Sequence, residues 1–63
     1  MRIRIKTYNG ELPSYLTVGK VYEATPSQSG LGATFFNDDG DESYATLHNS
    51  AHLDGGSWEV VNE

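Results

Sequence analysis

The sequence of 63 residues contains no cysteine. Disulfides, thiolate metal sites and cysteine nucleophiles are therefore excluded. Because small secreted domains usually depend on such cross-links, we expect the chain to act in the reducing cytoplasm of a cell. The chain also lacks an apolar run near the roughly 20 residues of a membrane helix, and residues 1–6 alternate charged with apolar side chains, unlike a signal peptide.

Large aliphatic side chains are scarce as well. Leu, Ile, Val and Phe together number thirteen, about a fifth of the chain, which is close to the composition of disordered proteins. Seven aromatic residues favour a folded domain, because aromatic side chains bury the most area. The length excludes a multilayer enzyme or a nucleotide-binding α/β sheet, so residues 1–63 are predicted to form a single domain.

Basic residues are few, four against nine acidic ones, which gives a net charge of −5. Three of them alternate along the first segment: Arg2, Arg4 and Lys6. Four acidic residues surround one glycine: Asp38, Asp39, Asp41 and Glu42. Because nucleic-acid affinity depends on cationic contacts, this balance disfavours DNA or RNA as a ligand. A nucleic-acid-associated accessory protein stays an alternative function, and it would use the three N-terminal basic residues.

Alternation of apolar and polar residues predicts short β-strands and no long helix. In the first strand, Ile3 and Ile5 share one face and the basic residues take the other. In a second strand, Tyr22 and Ala24 are expected to point inward. The second half of the chain contains a loop or short helical turn over residues 48–56, followed by a last strand at Trp58–Val61.

A hairpin is predicted in the middle of the chain. Ala33–Phe36 and Glu42–Leu47 are rich in strand-forming residues, and the residues between them have turn chemistry, with Gly40 suited to a positive φ. Strand alternation puts Phe35 and Phe36 on opposite faces without deciding which of them enters the core. Pro26 and residues 27–32, rich in Ser and Gly, are predicted to form an irregular loop.

Five short strands in one open sheet would expose unpaired backbone at both edges. Curling them into a small barrel reduces that exposure, so the sequence predicts an all-β, five-stranded SH3-like barrel with a short helical turn before the last strand. A first strand beside the last would place Arg2 or Arg4 opposite Glu59. The expected core includes apolar members of three strands: Ile3, Ile5, Leu47 and Trp58.

Three stretches, residues 16–23, 37–42 and 51–61, resemble small uncharacterised proteins of bacteriophages and prophages. Those proteins are similar to SH3-like barrels in strand order. The resemblance implies a phage or prophage accessory protein that acts in the cytoplasm of a bacterial host. It carries no active-site pattern with it.

Candidate chemistry is sparse. His48 and His52 are four residues apart, with Asp54 nearby, but a zinc site needs three or four converging ligands. Residues 37–42 lack the register of a calcium loop. No nucleophile motif is present, and carboxylates on a turn stay solvated, so we expect neither catalysis nor a cofactor.

Aromatic residues near loops indicate binding instead, because Tyr and Trp are enriched at interface hot spots. Tyr8 and Tyr15 flank the first loop, where SH3-like folds often contact ligands. Together with the acidic hairpin they predict a non-catalytic module that binds a protein with a basic surface. A self-assembling structural piece is a second alternative, since small barrels gain stability by pairing edges.

Overall fold

The computed structural model describes residues 1–62. Its regular elements are β1 (Arg2–Thr7), β2 (Val21–Pro26), β3 (Gly32–Phe36), β4 (Glu42–Thr46), a 3₁₀ turn (Ala51–Leu53) and β5 (Ser57–Val61). All neighbouring strands pair antiparallel, in the order β4-β3-β2-β1-β5. The prediction of an all-β fold with a short helical turn before the last strand is confirmed for this part of the chain.

The strand β2 belongs to two halves of the sheet. Its first half pairs with β1, through Tyr22 opposite Ile3, and its second half pairs with β3, through Ala24 opposite Phe35. The sheet therefore bends along β2 and folds its inner face around one core. β1 also pairs with β5, so the first and last strands lie side by side.

The sheet is open between its two edge strands, β4 and β5. They contact each other near one end, where the Trp58 N–H donates a hydrogen bond of 2.8 Å to the Leu47 carbonyl. The Leu47 N–H donates to the Leu31 carbonyl at 3.0 Å. The residue that follows β4 thus connects three segments by its backbone.

Three aromatic rings dominate the core. Phe35 lies 5.2 Å from Tyr22 and 5.2 Å from Trp58 between ring centroids, and the tyrosine and tryptophan rings are 6.1 Å apart. Tilted and edge-on pairs of this kind add stabilisation beyond the buried area. The indole N–H of Trp58 donates to the hydroxyl of Ser50 at 3.2 Å, so its polar atom is paired although the ring is buried. The other buried hydrophobic residues of this cluster are Ile3, Ile5, Leu16, Ala45 and Leu53.

Most of the expected core residues are buried. Ile3, Ile5 and Trp58 are in the core as predicted. Leu47 is only partly buried, in contrast to the prediction. The reason is its position just beyond β4, at the opening of the sheet: its side chain packs against the core without being enclosed by it, while its backbone makes the closing hydrogen bonds.

The loop between β2 and β3 is shorter than predicted. Pro26 ends β2 opposite Ala33. It lies beyond the residues of β2 that pair with β1, so this end of β2 is an edge, where the missing N–H of proline is tolerated. Gly32 begins β3, where a Cβ would overlap the Ala45 carbonyl oxygen and would lie 2.6 Å from the Tyr44 hydroxyl oxygen, so the tyrosine side chain lies across the glycine. A glycine covered by a cross-strand aromatic ring is stabilised in a strand despite its flexibility.

Replacement of Trp58 by alanine is expected to reduce the free energy of unfolding by about 3–5 kcal/mol, because it leaves a large cavity in the core. That loss is comparable to the whole stability of a domain of this size. Trp58→Phe should retain part of the stability, and Val60→Ala, at a position of the same strand that is 43% exposed, should reduce it by about 1 kcal/mol or less. Urea denaturation of the three variants measures this. Tryptophan emission of the folded wild type like that of free tryptophan in water would contradict the burial.

Gly40 has a φ of +81° and open space around its α-carbon. Gly40→Val should therefore destabilise the fold by about 1 kcal/mol or more through backbone strain alone. Gly40→Asn should cost less, because asparagine tolerates this conformation better than branched residues. Thermal denaturation measures the melting temperatures of wild type and both variants. Equal melting temperatures for wild type and Gly40→Val would show that a branched side chain causes no backbone strain at this position.

Candidate functional site

The acidic segment forms the tip of the β3–β4 hairpin, and Asn37 shapes this tip. Its side-chain Oδ1 accepts hydrogen bonds from the N–H groups of Asp39 (2.9 Å) and Asp41 (3.2 Å). Its backbone carbonyl accepts one from the Gly40 N–H at 2.9 Å. Asparagine stabilises turns by such side-chain bonds to nearby backbone. The carboxylates of the tip therefore project from a well-defined turn.

Asp38 points back toward the protein. Its Oδ2 accepts a hydrogen bond from the Thr17 hydroxyl at 2.6 Å. Its Oδ1 accepts from the Lys20 ammonium at 2.7 Å and from the Tyr22 hydroxyl at 3.0 Å. The Asp38 N–H also donates to the Tyr15 carbonyl at 3.0 Å. Asp38, whose side chain is only 20% exposed, thus ties the hairpin to the loop between β1 and β2.

These contacts change the acidity of the groups involved. The hydrogen bond from Lys20, and then that from Thr17, lowers the pKa of Asp38 below its ordinary value of 3.8. The same bond to Asp38 raises the pKa of Lys20. Burial raises the pKa of the Tyr22 hydroxyl, and its bond to the carboxylate raises it further. Asp38 is therefore ionised, and Lys20 protonated, at neutral pH.

The other three acids of the cluster face solvent. Asp39, Asp41 and Glu42 are exposed, and within residues 1–62 none of them forms an ion pair with lysine or arginine. These three residues are thus solvated, as predicted for carboxylates on a turn. Asp38 differs because Lys20 is the one basic residue outside the first strand, and it lies directly across from the hairpin.

The two predicted binding tyrosines have different surroundings. Tyr8 is 42% exposed, just after β1. Tyr15 is half-buried against the core, and its hydroxyl lies 3.0 Å from Nδ1 of His52, with the two rings edge to face. The other ring nitrogen of His52 is 3.1 Å from the Tyr44 carbonyl. Tyr15 therefore helps to hold the 3₁₀ turn, and of the two tyrosines Tyr8 offers more surface.

The basic strip on β1 is largely matched by acids of its neighbours. Arg4 lies opposite Glu59 and forms an ion pair of 3.0 Å, as the sequence predicts for Arg2 or Arg4. Arg2 pairs instead with Glu23 on β2, at 2.7 Å. Lys6 is exposed. Two of the three candidate phosphate-binding side chains thus have carboxylate partners, which weakens this strip as a nucleic-acid surface.

One of the two adjacent phenylalanines of β3 is exposed beside the hairpin. Phe35 is buried at 1% exposure, whereas Phe36 is 63% exposed, directly opposite Glu42. The signal was present in the sequence: Thr34 is polar and shares a face with Phe36, while the apolar Ala33 shares a face with Phe35. Phe36 therefore joins the acidic hairpin in the candidate site.

Metal binding finds no support in the described part of the chain. Among residues 1–62, no group of three His, Asp or Glu side chains is arranged to hold a metal ion. Asp54 adopts a left-handed conformation with φ +52° and ends the 3₁₀ turn, and His48 is exposed. Among the same residues, no helix is long and apolar enough to cross a membrane.

Comparison of the chain with protein-family models, with curated proteins and with solved structures finds no match.

Removal of the Asp38 carboxylate should destabilise the fold in a pH-dependent way. Because the pKa of Asp38 is lower in the folded protein than in the unfolded chain, its stabilisation is complete above the unfolded-state pKa. It disappears as the pH falls through the folded-state pKa. Asp38→Asn should therefore lower the urea midpoint at pH 7, and the difference from wild type should shrink below about pH 4.

The exposed neighbour gives the matched control for this experiment. Asp39→Asn removes the same charge one residue away without breaking an ion pair, so its urea midpoint should stay close to that of wild type at both pH values. An Asp38→Asn midpoint equal to that of Asp39→Asn at pH 7 would mean that the contacts of Asp38 do not stabilise the fold.

Proposed function

We propose that this protein is a non-catalytic protein-binding module, built on an SH3-like barrel, that binds a protein with a basic surface. The observation that carries the proposal is the hairpin tip, where Asp39, Asp41 and Glu42 are exposed and lack basic partners within residues 1–62. The turn formed by Asn37 fixes their backbone, so their negative field has a definite position on the surface.

The assignment to SH3-like barrels draws on connectivity. A strand shared between two halves of the sheet, a first strand beside the last, and a 3₁₀ turn before the final strand are all consistent with it. The hydrogen bond from Trp58 to Leu47 brings the two edges together at one end. A partly open barrel of this kind fits a chain with a single small core.

A binding role accounts for the carboxylates better than catalysis does. A general acid or base works best with a pKa near the operating pH, which usually requires burial or a like charge. Asp38 has the opposite tendency, because its partners lower its pKa. The three other acids of the hairpin are exposed to water. Such groups attract a cationic surface and accelerate encounter more than they change the final affinity.

The biological context that we propose is a phage or prophage accessory protein in the cytoplasm of a bacterial host. The resemblance of residues 16–23, 37–42 and 51–61 to such proteins supports this context. The lack of cysteine is in keeping with a reducing compartment.

The proposal is tested by capture of proteins from a bacterial lysate, followed by kinetics with the captured partner. The variant Asp39→Asn/Asp41→Asn/Glu42→Gln should associate about tenfold more slowly than wild type at low ionic strength, because it lacks the steering field. The rates of the two proteins should converge as salt is added. Association is measured by biolayer interferometry with the captured protein in solution.

A second variant distinguishes the effect of where the negative charges lie from the effect of the net charge of the protein. Glu11→Gln/Ser14→Lys/Gln28→Lys makes the net charge of −5 less negative by the same three units, at exposed positions outside the hairpin. Its association rate should stay well above that of the hairpin variant. Equal rates for wild type and the hairpin variant at low salt would contradict the proposal and leave the hairpin as a solvated turn.

A further inference from the structure

The outer face of β2, β3 and β4 carries an unpartnered apolar surface. Phe36 is 63% exposed and Tyr44 is 46% exposed on this face. They are accompanied by Thr34, which lies between Thr25 on β2 and Tyr44 on β4. A shallow depression of about 510 Å³ lies on this face, and its walls are Glu23, Ala24, Thr25, Thr34, Phe36 and Glu42.

The two aromatic residues of this face are not equivalent. Tyr44 has a structural role, since it covers Gly32 and its hydroxyl lies 3.4 Å from the Ser27 hydroxyl. Within residues 1–62, no aromatic ring packs against Phe36, and the core is filled by its neighbour Phe35. Phe36 is thus a large apolar side chain that faces solvent and lines the depression.

Carboxylates lie on both sides of Phe36. Glu42 is its cross-strand partner on β4, and Glu23 on β2 lines the same depression. Adjacent strands are about 4.8 Å apart, so Glu42 lies about one strand spacing from Phe36 on one side. On the other side, Glu23 comes directly before Ala24, the residue of β2 that pairs with Phe35. Glu23 is paired with Arg2, yet 74% of its side chain remains exposed. Asp39 and Asp41 extend the negative charge beyond Glu42 to the hairpin tip.

This charge pattern decides which occupant fits. A second copy of the chain would bring the glutamates and the hairpin carboxylates of two acidic surfaces together, and the net charge of each copy is −5. A nucleic acid would meet the same repulsion. A cationic segment with an apolar side chain matches both features, because its charges face carboxylates while its apolar group covers the phenylalanine ring.

From this arrangement we infer that the Phe36 face docks an extended segment of a partner protein in which one apolar side chain lies between two lysines or arginines. In an extended segment, residues i and i+2 point the same way and lie about 6.7 Å apart, so flexible cationic side chains two residues from the apolar one reach the flanking glutamates. Phe36 is the anchor, and Glu42 and Glu23 select for charge. The inference deepens the proposed function and rests on it, since it names the contact surface and partner chemistry of the same acidic region.

The test is an NMR titration of the ¹⁵N-labelled protein with a synthetic peptide, acetyl-Ser-Lys-Ser-Leu-Ser-Lys-Ser-amide, at low salt. The largest amide shifts should occur at Thr34, Phe36, Glu42 and Tyr44. Phe36→Ser should weaken binding about fivefold or more, as expected for an interface anchor. Glu42→Gln should weaken it at low salt and less at high salt. A peptide with serine in place of leucine should also bind more weakly.

Leu31→Ser is the matched control, because Leu31 is another large apolar residue, 71% exposed, and it precedes β3 at the end opposite Phe36, outside the depression; its affinity should equal that of wild type. The spectrum of Phe36→Ser reports whether the variant is folded, and Phe36→Thr, which retains strand propensity, replaces it if it is not. Absence of binding by wild type at millimolar peptide, shifts centred on Tyr8 and Tyr15, or equal affinities of wild type and Phe36→Ser would each overturn the inference. Concentration-dependent shifts at Phe36 without peptide would overturn it in favour of a second copy.

Failure of this inference is distinguishable from failure of the proposed function. If the hairpin variant still associates slowly with the captured partner while Phe36→Ser associates and dissociates like wild type, the protein-binding role stands and another surface makes the contact. If neither variant differs from wild type in those kinetics, both proposals are wrong.

Discussion

The side chain of Tyr22 connects the core of this protein to its surface chemistry. Its ring packs edge-on against Phe35 and Trp58, and its hydroxyl donates to the carboxylate of Asp38. The same hydroxyl accepts a hydrogen bond of 2.9 Å from the Thr17 N–H. One residue on β2 therefore fixes the positions of the first loop and the hairpin relative to the core. The hairpin is attached at its base to the first loop and to the core through Asp38.

The distribution of charge follows from the pairing of the strands. Three ion pairs between lysine or arginine and carboxylates lie within residues 1–62: Arg2 with Glu23, Arg4 with Glu59, and Lys20 with Asp38. Each joins two segments that are distant in sequence. These pairs engage three of the four lysine and arginine residues of the chain. Few basic side chains therefore remain to neutralise the carboxylates at the hairpin tip. The negative field is thereby directed outward, next to the exposed ring of Phe36.

The sequence predicted much of the fold because its strongest signals are local. Turn chemistry around Gly40 located the hairpin, and alternation placed Ile3, Ile5 and Tyr22 on inner faces. The contact of Arg4 with Glu59 was foreseen as one of two registers, since opposite charges on neighbouring strands attract. Composition places Gly32 in the Ser- and Gly-rich loop, whereas the cross-strand ring that covers it belongs to a residue twelve positions later in the chain. Composition alone does not reveal that contact.

By itself, the sequence determined an all-β chain with an acidic hairpin and a shortage of cations, because alternation, turn residues and charge are properties of neighbouring positions. Only the tertiary structure decided that Asp38 faces inward while Asp39, Asp41 and Glu42 face solvent. It also decided that Phe36 stands between two glutamates from different strands. The physical reason is that both outcomes depend on strand register and on where the first loop meets the hairpin. Those relations bring together residues far apart in the chain, and local preferences do not encode them.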